Sequence, residues 1–150
     1  MYKNSFVHYL TKILVDVMFF GGIACCAAAP FVVPLLMNRF GYGERVMLPF
    51  TIILTIAGLC SLYILWQLKR IFKTLLGGNP FIFANVSCLR KCSVASFLLA
   101  LTFTADLILW FTFGGMIMVV VFSLLGLFCL TLKDVFKQAI TYKEENDWTV

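Results

Sequence analysis

The sequence predicts an all-α integral membrane four-helix bundle with both termini cytoplasmic. Three observations lead there. Of the 150 residues, 62% are hydrophobic and 13% charged, against roughly half and about a quarter in a soluble domain. The apolar residues gather into stretches long enough for the roughly 20 helical residues that cross a hydrocarbon core about 30 Å thick. The twelve Lys and Arg side chains fall between those stretches with a strong bias to one side. A chain of this length makes a single domain. Sixteen phenylalanines and a mean hydropathy of +0.99 exclude disorder, collagen-like repeats and a nucleic-acid-binding module built on its own surface. The net charge of +5 is therefore read as topology, and direct nucleic acid binding is not expected.

The first span covers residues 13–37. Asp16 is its only charge, and Lys12 one turn earlier supplies a local ion pair. Gly21, Cys25 and Ala29 recur every four residues, as do Ala24 and Ala28, a spacing that lets helices approach closely. Pro30 and Pro34 are expected to kink its outer half. Ala27-Ala28-Ala29 resembles a signal-peptidase site, but the apolar run continues through Phe31-Val32-Val33, so cleavage is not expected.

The second span covers 46–66, with Pro49 in its first turn. It is expected to continue as a helix beyond the membrane to Leu76, where Gly77-Gly78 stops it. Asn79-Pro80-Phe81 forms a turn, and Asn85 reads as the N-cap of the third helix. The apolar stretch from Cys92 to Leu132 is too long for one span and right for two, 92–110 and 114–132, broken at Trp110 to Gly115, where two glycines permit a tight turn. On the last span Ser123, Gly126 and Cys129 offer a small surface for packing. The fourth helix also overruns the membrane, into a tail over 133–150.

Orientation follows from the flanks. Lys3 and Lys12, the loop 67–91 with Lys69, Arg70, Lys73, Arg90 and Lys91, and the tail with Lys133, Lys137 and Lys143 place ten basic residues on one side. Arg39 and Arg45 alone lie on the other. The rule that cytoplasmic loops carry the positive charge assigns the first side to the cytoplasm.

Few residues suggest chemistry. The six cysteines are scattered or at helical spacing, the cytosol keeps thiols reduced, and the sole histidine, His8, lies far from them in sequence. Cysteine as a small packing residue is the reading adopted. No metal site or cofactor is expected. Asp106, late in the third span, sits one turn from Thr102. It reads either as a polar contact for a cation or proton, or as an interfacial carboxylate hydrogen-bonded to Thr102 or Thr104. The basic loop and the acidic tail share a side, and the tail is expected to fold back under the bundle, with Trp148 against Phe72 or Phe81 and Glu144, Glu145 and Asp147 near the loop cations.

Gly78-Asn79-Pro80-Phe81, then Asn85 and Leu89-Arg90, together with the terminal Glu144-Glu145-Asn146-Asp147-Trp148-Thr149-Val150, resemble the bacterial membrane-protein family called domain of unknown function 2975. Trp148 stands where an aliphatic residue is usual, and Lys91-Cys92 where a small pair is common. The resemblance implies a multi-pass protein of the bacterial plasma (inner) membrane, often encoded beside a small helix-turn-helix transcription regulator, with no catalytic residues to carry over. The expectation is a non-enzymatic protein that anchors, sequesters or signals to such a cytosolic DNA-binding regulator. Its docking surface would comprise Lys69, Arg70, Lys73, Asn79, Pro80, Phe81, Asn85, Arg90 and the tail residues Glu144, Glu145, Asp147 and Trp148. The alternative is a transporter or immunity component for a hydrophobic or cationic compound, with Asp106 and Thr102 lining its site. The lipid bilayer is the other partner, and a homo-oligomer stays open.

Overall fold

The computed structural model describes the backbone of residues 6–39, 41, 44–78 and 80–148, and side chains over 9–39, 41, 46–78 and 80–146. It is all-α, with four helices: α1 (Phe6–Arg39), α2 (Glu44–Leu76), α3 (Phe83–Leu109) and α4 (Phe113–Trp148). Each is long and apolar enough to cross a membrane. Even α3, the shortest at 27 residues, reaches roughly 40 Å, more than a hydrocarbon core of about 30 Å. Helices suit this solvent because every mid-segment backbone N–H finds its carbonyl within the same helix. Serine and threonine are accommodated in the same way. Thr51, Thr55, Ser61 and Ser96 each donate to the carbonyl four residues earlier, at 2.7 to 2.9 Å.

The helices pack in chain order. α1 meets α2, α2 meets α3, and α3 meets α4, with no further pairing of helices among the described residues. The bundle is therefore an open row. α3 sits between two neighbours and carries most of the core, with Cys88, Leu89, Cys92, Ala95, Ser96 and Leu99 all buried. α1, at the edge, fully buries Val15 alone among its described side chains. Many of its apolar side chains, among them Leu14, Val17, Phe20, Phe31 and Leu35, face outward, as suits contact with lipid.

Lipid chains are as apolar as leucine, so helix association here relies on close packing. On α4 the small-residue surface lies as expected: Gly126 and Cys129 are buried, and a Cβ at Gly126 would stand 3.0 Å from the Phe97 ring. Further along this seam Phe103 and Phe122 stack with centroids 5.7 Å apart. On α1 the expected register is off by one residue. Gly21 meets nothing within 4 Å and Cys25 is exposed. Gly22 lies against Leu62 and Leu65, and Cys26 against Gly58, where a Cβ would approach its Sγ to 2.6 Å. One residue is about 100° of helix rotation, enough to turn the first stripe away from α2.

Two boundaries also differ from expectation. Gly114 and Gly115 do not make the α3–α4 turn; they lie inside α4, with no positive φ. The chain reverses over Trp110 to Thr112, with Trp110 extended at φ −139° and its N–H donated to the Asp106 carbonyl. Gly115 serves packing: it is buried, and a Cβ there would meet Asp106 and Leu107 at 3.7 Å. Asn85 is not the cap of α3. Ile82 holds that position in an extended conformation with no side-chain cap bond, and the helix starts earlier. Pro30 and Pro34 lie within the continuous α1.

Candidate functional site

The antiparallel row brings the start of α1, the end of α2, the start of α3 and the end of α4 to one end, which among the described residues holds Lys12, Lys69, Arg70, Lys73, Arg90, Lys91, Lys133, Lys137 and Lys143. α2 runs to Leu76 as expected. Gly78 then takes φ +82°, a left-handed conformation that suits glycine, and its N–H bonds the Leu75 carbonyl.

Asn85 is the organising side chain of this turn. It is 1% exposed. Its Nδ2 donates to the Pro80 carbonyl at 2.6 Å, and its Oδ1 accepts from Thr74 Oγ1 at 2.9 Å. The Pro80 carbonyl can only accept, which fixes the amide orientation. The single Thr74 hydroxyl proton is shared, because the Ile71 carbonyl also lies 2.8 Å away. One buried amide thus joins the last turn of α2, the loop and the first turn of α3. Phe81 extends the assembly to α4: its ring lies 5.3 Å from that of Phe136.

The basic residues expected to act together divide into two groups. Lys69 is engaged within the fold, with Nζ 2.8 Å from Asp16 Oδ1 and 5.3 and 5.2 Å from the ring centroids of Phe19 and Phe20. Asp16 therefore pairs across helices, and the expected local pair with Lys12 gives way. The seam through Val15 and Phe19 turns this edge of α1 toward α2. Among the described residues this ammonium is the partner of the buried Asp16 oxygen. Arg70 lies 5.8 Å from the Trp66 ring. Lys73 and Arg90 are exposed. Lys133 pairs with its neighbour Asp134 at 3.0 Å.

The tail does not fold back. α4 continues as one helix to Trp148, because nothing between Thr131 and Asp147 breaks a helix: the stretch holds neither proline nor glycine. Phe136 lies against Phe81. Glu144 and Glu145 are exposed on this extension. Asn79 and the side chains of Asp147 and Trp148 lie outside the described residues. One face of the extension, with Asp134, Lys137, Gln138, Thr141, Tyr142 and Glu145, borders a shallow groove of about 510 Å³.

At the opposite end Asp106 is half-buried against Gly115. Thr102 and Thr104 do not bond its carboxylate. Their hydroxyls donate to the carbonyls of Leu98 and Ala100 at 2.8 and 2.7 Å, which uses the one proton each possesses. Among the described residues no three His, Cys, Asp or Glu side chains gather as a metal-ligand set. Cys88, Cys92 and Cys129 are buried free thiols.

Sequence reasoning missed Thr74, Phe136 and the partner of Asp16. It also passed over Gln67, which is 1% exposed and whose Oε1 has no partner among the described groups. An acid and a lysine at matching depths in consecutive antiparallel spans would have signalled the Asp16–Lys69 pair.

A family model described as protein of unknown function (DUF2975) matches residues 27–150. No curated protein and no solved structure matches the chain.

Proposed function

We infer that this chain, which belongs to the DUF2975 family, is a non-enzymatic multi-pass protein of the bacterial inner membrane that holds a cytosolic partner at its basic end. The partner class is a small helix-turn-helix transcription regulator, as the family resemblance implies. The observation that carries the reading is the buried Asn85 node with its Phe81–Phe136 link. A loop with no role beyond connecting two spans has no need of a fully buried amide and a ring contact to a third helix. Here they fix α2, α3 and the α4 extension as one platform.

The docking surface on this reading is the exposed face of the α4 extension through Lys137, Thr141 and Tyr142. Tyr142, 70% exposed, supplies the large amphipathic contact that protein interfaces favour. The cytoplasmic assignment of this end rests on the distribution of basic residues. The transport alternative draws less support, because Asp106 packs against a glycine in the α3–α4 seam.

The test is affinity purification of the full chain from its own cells in mild detergent. A small DNA-binding protein is expected to be retained, and to be lost when Tyr142→Ala and Lys137→Glu are combined. Recovery of other membrane proteins alone, or equal retention by the double variant, would reject the docking role.

A further inference from the structure

A groove of about 470 Å³ runs between α2 and α3, outside the loop node and away from the α4 extension. Its volume falls within the range of small-molecule sites, about 300–1,000 Å³. Its two ends differ in chemistry. Ser87, Arg90, Lys91 and Tyr63 line the end nearest the loop, and Leu59, Val94 and Leu98 line the remainder. Contact of Cys92 Sγ with the Ile64 carbonyl at 4.0 Å sets the two helices level there. Tyr63 and Trp66 therefore stand at the height of Arg90 and Lys91. Their rings meet edge to face at 6.1 Å, and the Arg70 guanidinium lies beside Trp66. Aromatic rings beside cations mark the level of lipid headgroups.

We propose that this groove binds one anionic diacyl phospholipid, its phosphodiester held by Arg90 and Lys91 and an acyl chain laid along Leu59, Val94 and Leu98. Neither cation has a carboxylate partner among the described residues. The nearest acid along α3, Asp106, stands roughly 24 Å further down the helix from Arg90. The two cations thus have their donors available and the Ser87 hydroxyl beside them. Ser87 to Leu98 covers roughly 16 Å of helix, close to half of a hydrocarbon core about 30 Å thick. The groove therefore matches one leaflet in depth, with charge at the surface and carbon beneath. Basic pockets between spans are the recurring form of such recognition. A cationic or neutral apolar compound would leave both cations uncompensated.

The test uses the purified full chain in mild detergent, titrated with phosphatidylglycerol or phosphatidylcholine and read by native mass spectrometry. The full chain is expected to retain phosphatidylglycerol preferentially. Combining Arg90→Gln with Lys91→Gln should weaken that retention roughly thirtyfold, equivalent to about 2 kcal/mol at 1.4 kcal/mol per tenfold. The exchange of Arg90→Lys with Lys91→Arg should keep it and shows that the site tolerates substitution. Val94→Trp, which fills the apolar part, should lower retention with both cations intact. Soluble glycerol phosphate, lacking acyl chains, should not compete. Equal retention of the two lipids, retention unchanged in the Gln variant, displacement by glycerol phosphate, or a second copy of the chain found in the groove would each overturn the assignment.

Discussion

Replacing Asn85 probes the platform at its centre. Alanine removes the Nδ2 donor from the Pro80 carbonyl and the Oδ1 acceptor from Thr74, bonds of 2.6 and 2.9 Å around a side chain that is 1% exposed. The Thr74 hydroxyl keeps the Ile71 carbonyl as acceptor, so its loss is partial. The Pro80 carbonyl keeps the Ile82 N–H at 3.2 Å, which softens its loss as well. Neither partner is orphaned, so each lost bond costs about 1 kcal/mol and Asn85→Ala is expected to cost about 2 kcal/mol. Thr74→Val removes the hydroxyl that donates to Asn85 Oδ1 and leaves that buried oxygen without its donor, so it should cost about 1–3 kcal/mol as well. Asn85→Asp keeps the shape but turns a carboxylate oxygen toward the Pro80 carbonyl, and a buried charge with one shared donor is the most costly of the three. Asn85→Asp is therefore expected to lose most, with Thr74→Val and Asn85→Ala below it. Reversible unfolding in detergent measures the order, and amide exchange across residues 77–84 locates it, with α1 unaffected. Wild-type stability in Asn85→Asp, or faster exchange spread evenly over all helices, would refute the reasoning.

Three further outcomes follow from contacts elsewhere. Asp16→Asn combined with Lys69→Met should destabilise by less than the sum of the two single changes, with a coupling of about 0.5–1 kcal/mol by double-mutant cycle, because the pair is part-exposed; zero coupling would return Asp16 to a local role. Gly58→Ala should cost about 1–3 kcal/mol against the Cys26 Sγ at 2.6 Å, yet in a Cys26→Ala background the nearest atom is a Cβ at 3.9 Å and the same change should stabilise by up to about 1 kcal/mol through helix propensity, as thermal unfolding would show. Gly126→Ala presses on the Phe97 ring at 3.0 Å and should cost about 1–2 kcal/mol, an effect largely relieved by Phe97→Leu in the same melt.

The spans and the overruns of α2 and α4 were legible because they depend on local sums: runs of apolar residues, a Gly-Gly stop, clusters of lysine and arginine. The register of α1 was not. Gly21-Gly22 and Cys25-Cys26 are doubled, so two small stripes lie side by side, and in lipid no difference in polarity tells the facing one from the other. Asn85 looked like a cap because a cap is the commonest local use of asparagine at a helix start. Its actual partners, Thr74 and Pro80, belong to the preceding helix and loop, and only the turn geometry brings them into reach. The Lys12 reading of Asp16 failed for the same reason: a neighbour at four residues is visible in sequence, whereas Lys69 becomes a neighbour once α1 and α2 pair. The fold-back of the tail assumed that opposite charges would outweigh helix continuation. Exposed pairs yield about 0–1 kcal/mol each, too little to interrupt a stretch of good helix formers.

The open row also ranks the helices by how firmly they are held. α2, α3 and α4 are joined twice, through the α3 core and again through Asn85 and the Phe81–Phe136 contact at the basic end. Among the described residues α1 touches α2 alone, through a short small-residue stripe and one ion pair. The family match begins at residue 27, inside α1, and covers everything after it. Both proposed binding surfaces, the α4 extension and the α2–α3 groove, lie on the twice-joined unit. A ligand there adds its contacts to helices already fixed against one another, so little ordering cost is set against binding. α1 is then the helix free to change its packing without disturbing either surface, and the Asp16–Lys69 pair, which lies outside the matched residues on the α1 side, is the contact that would have to open first.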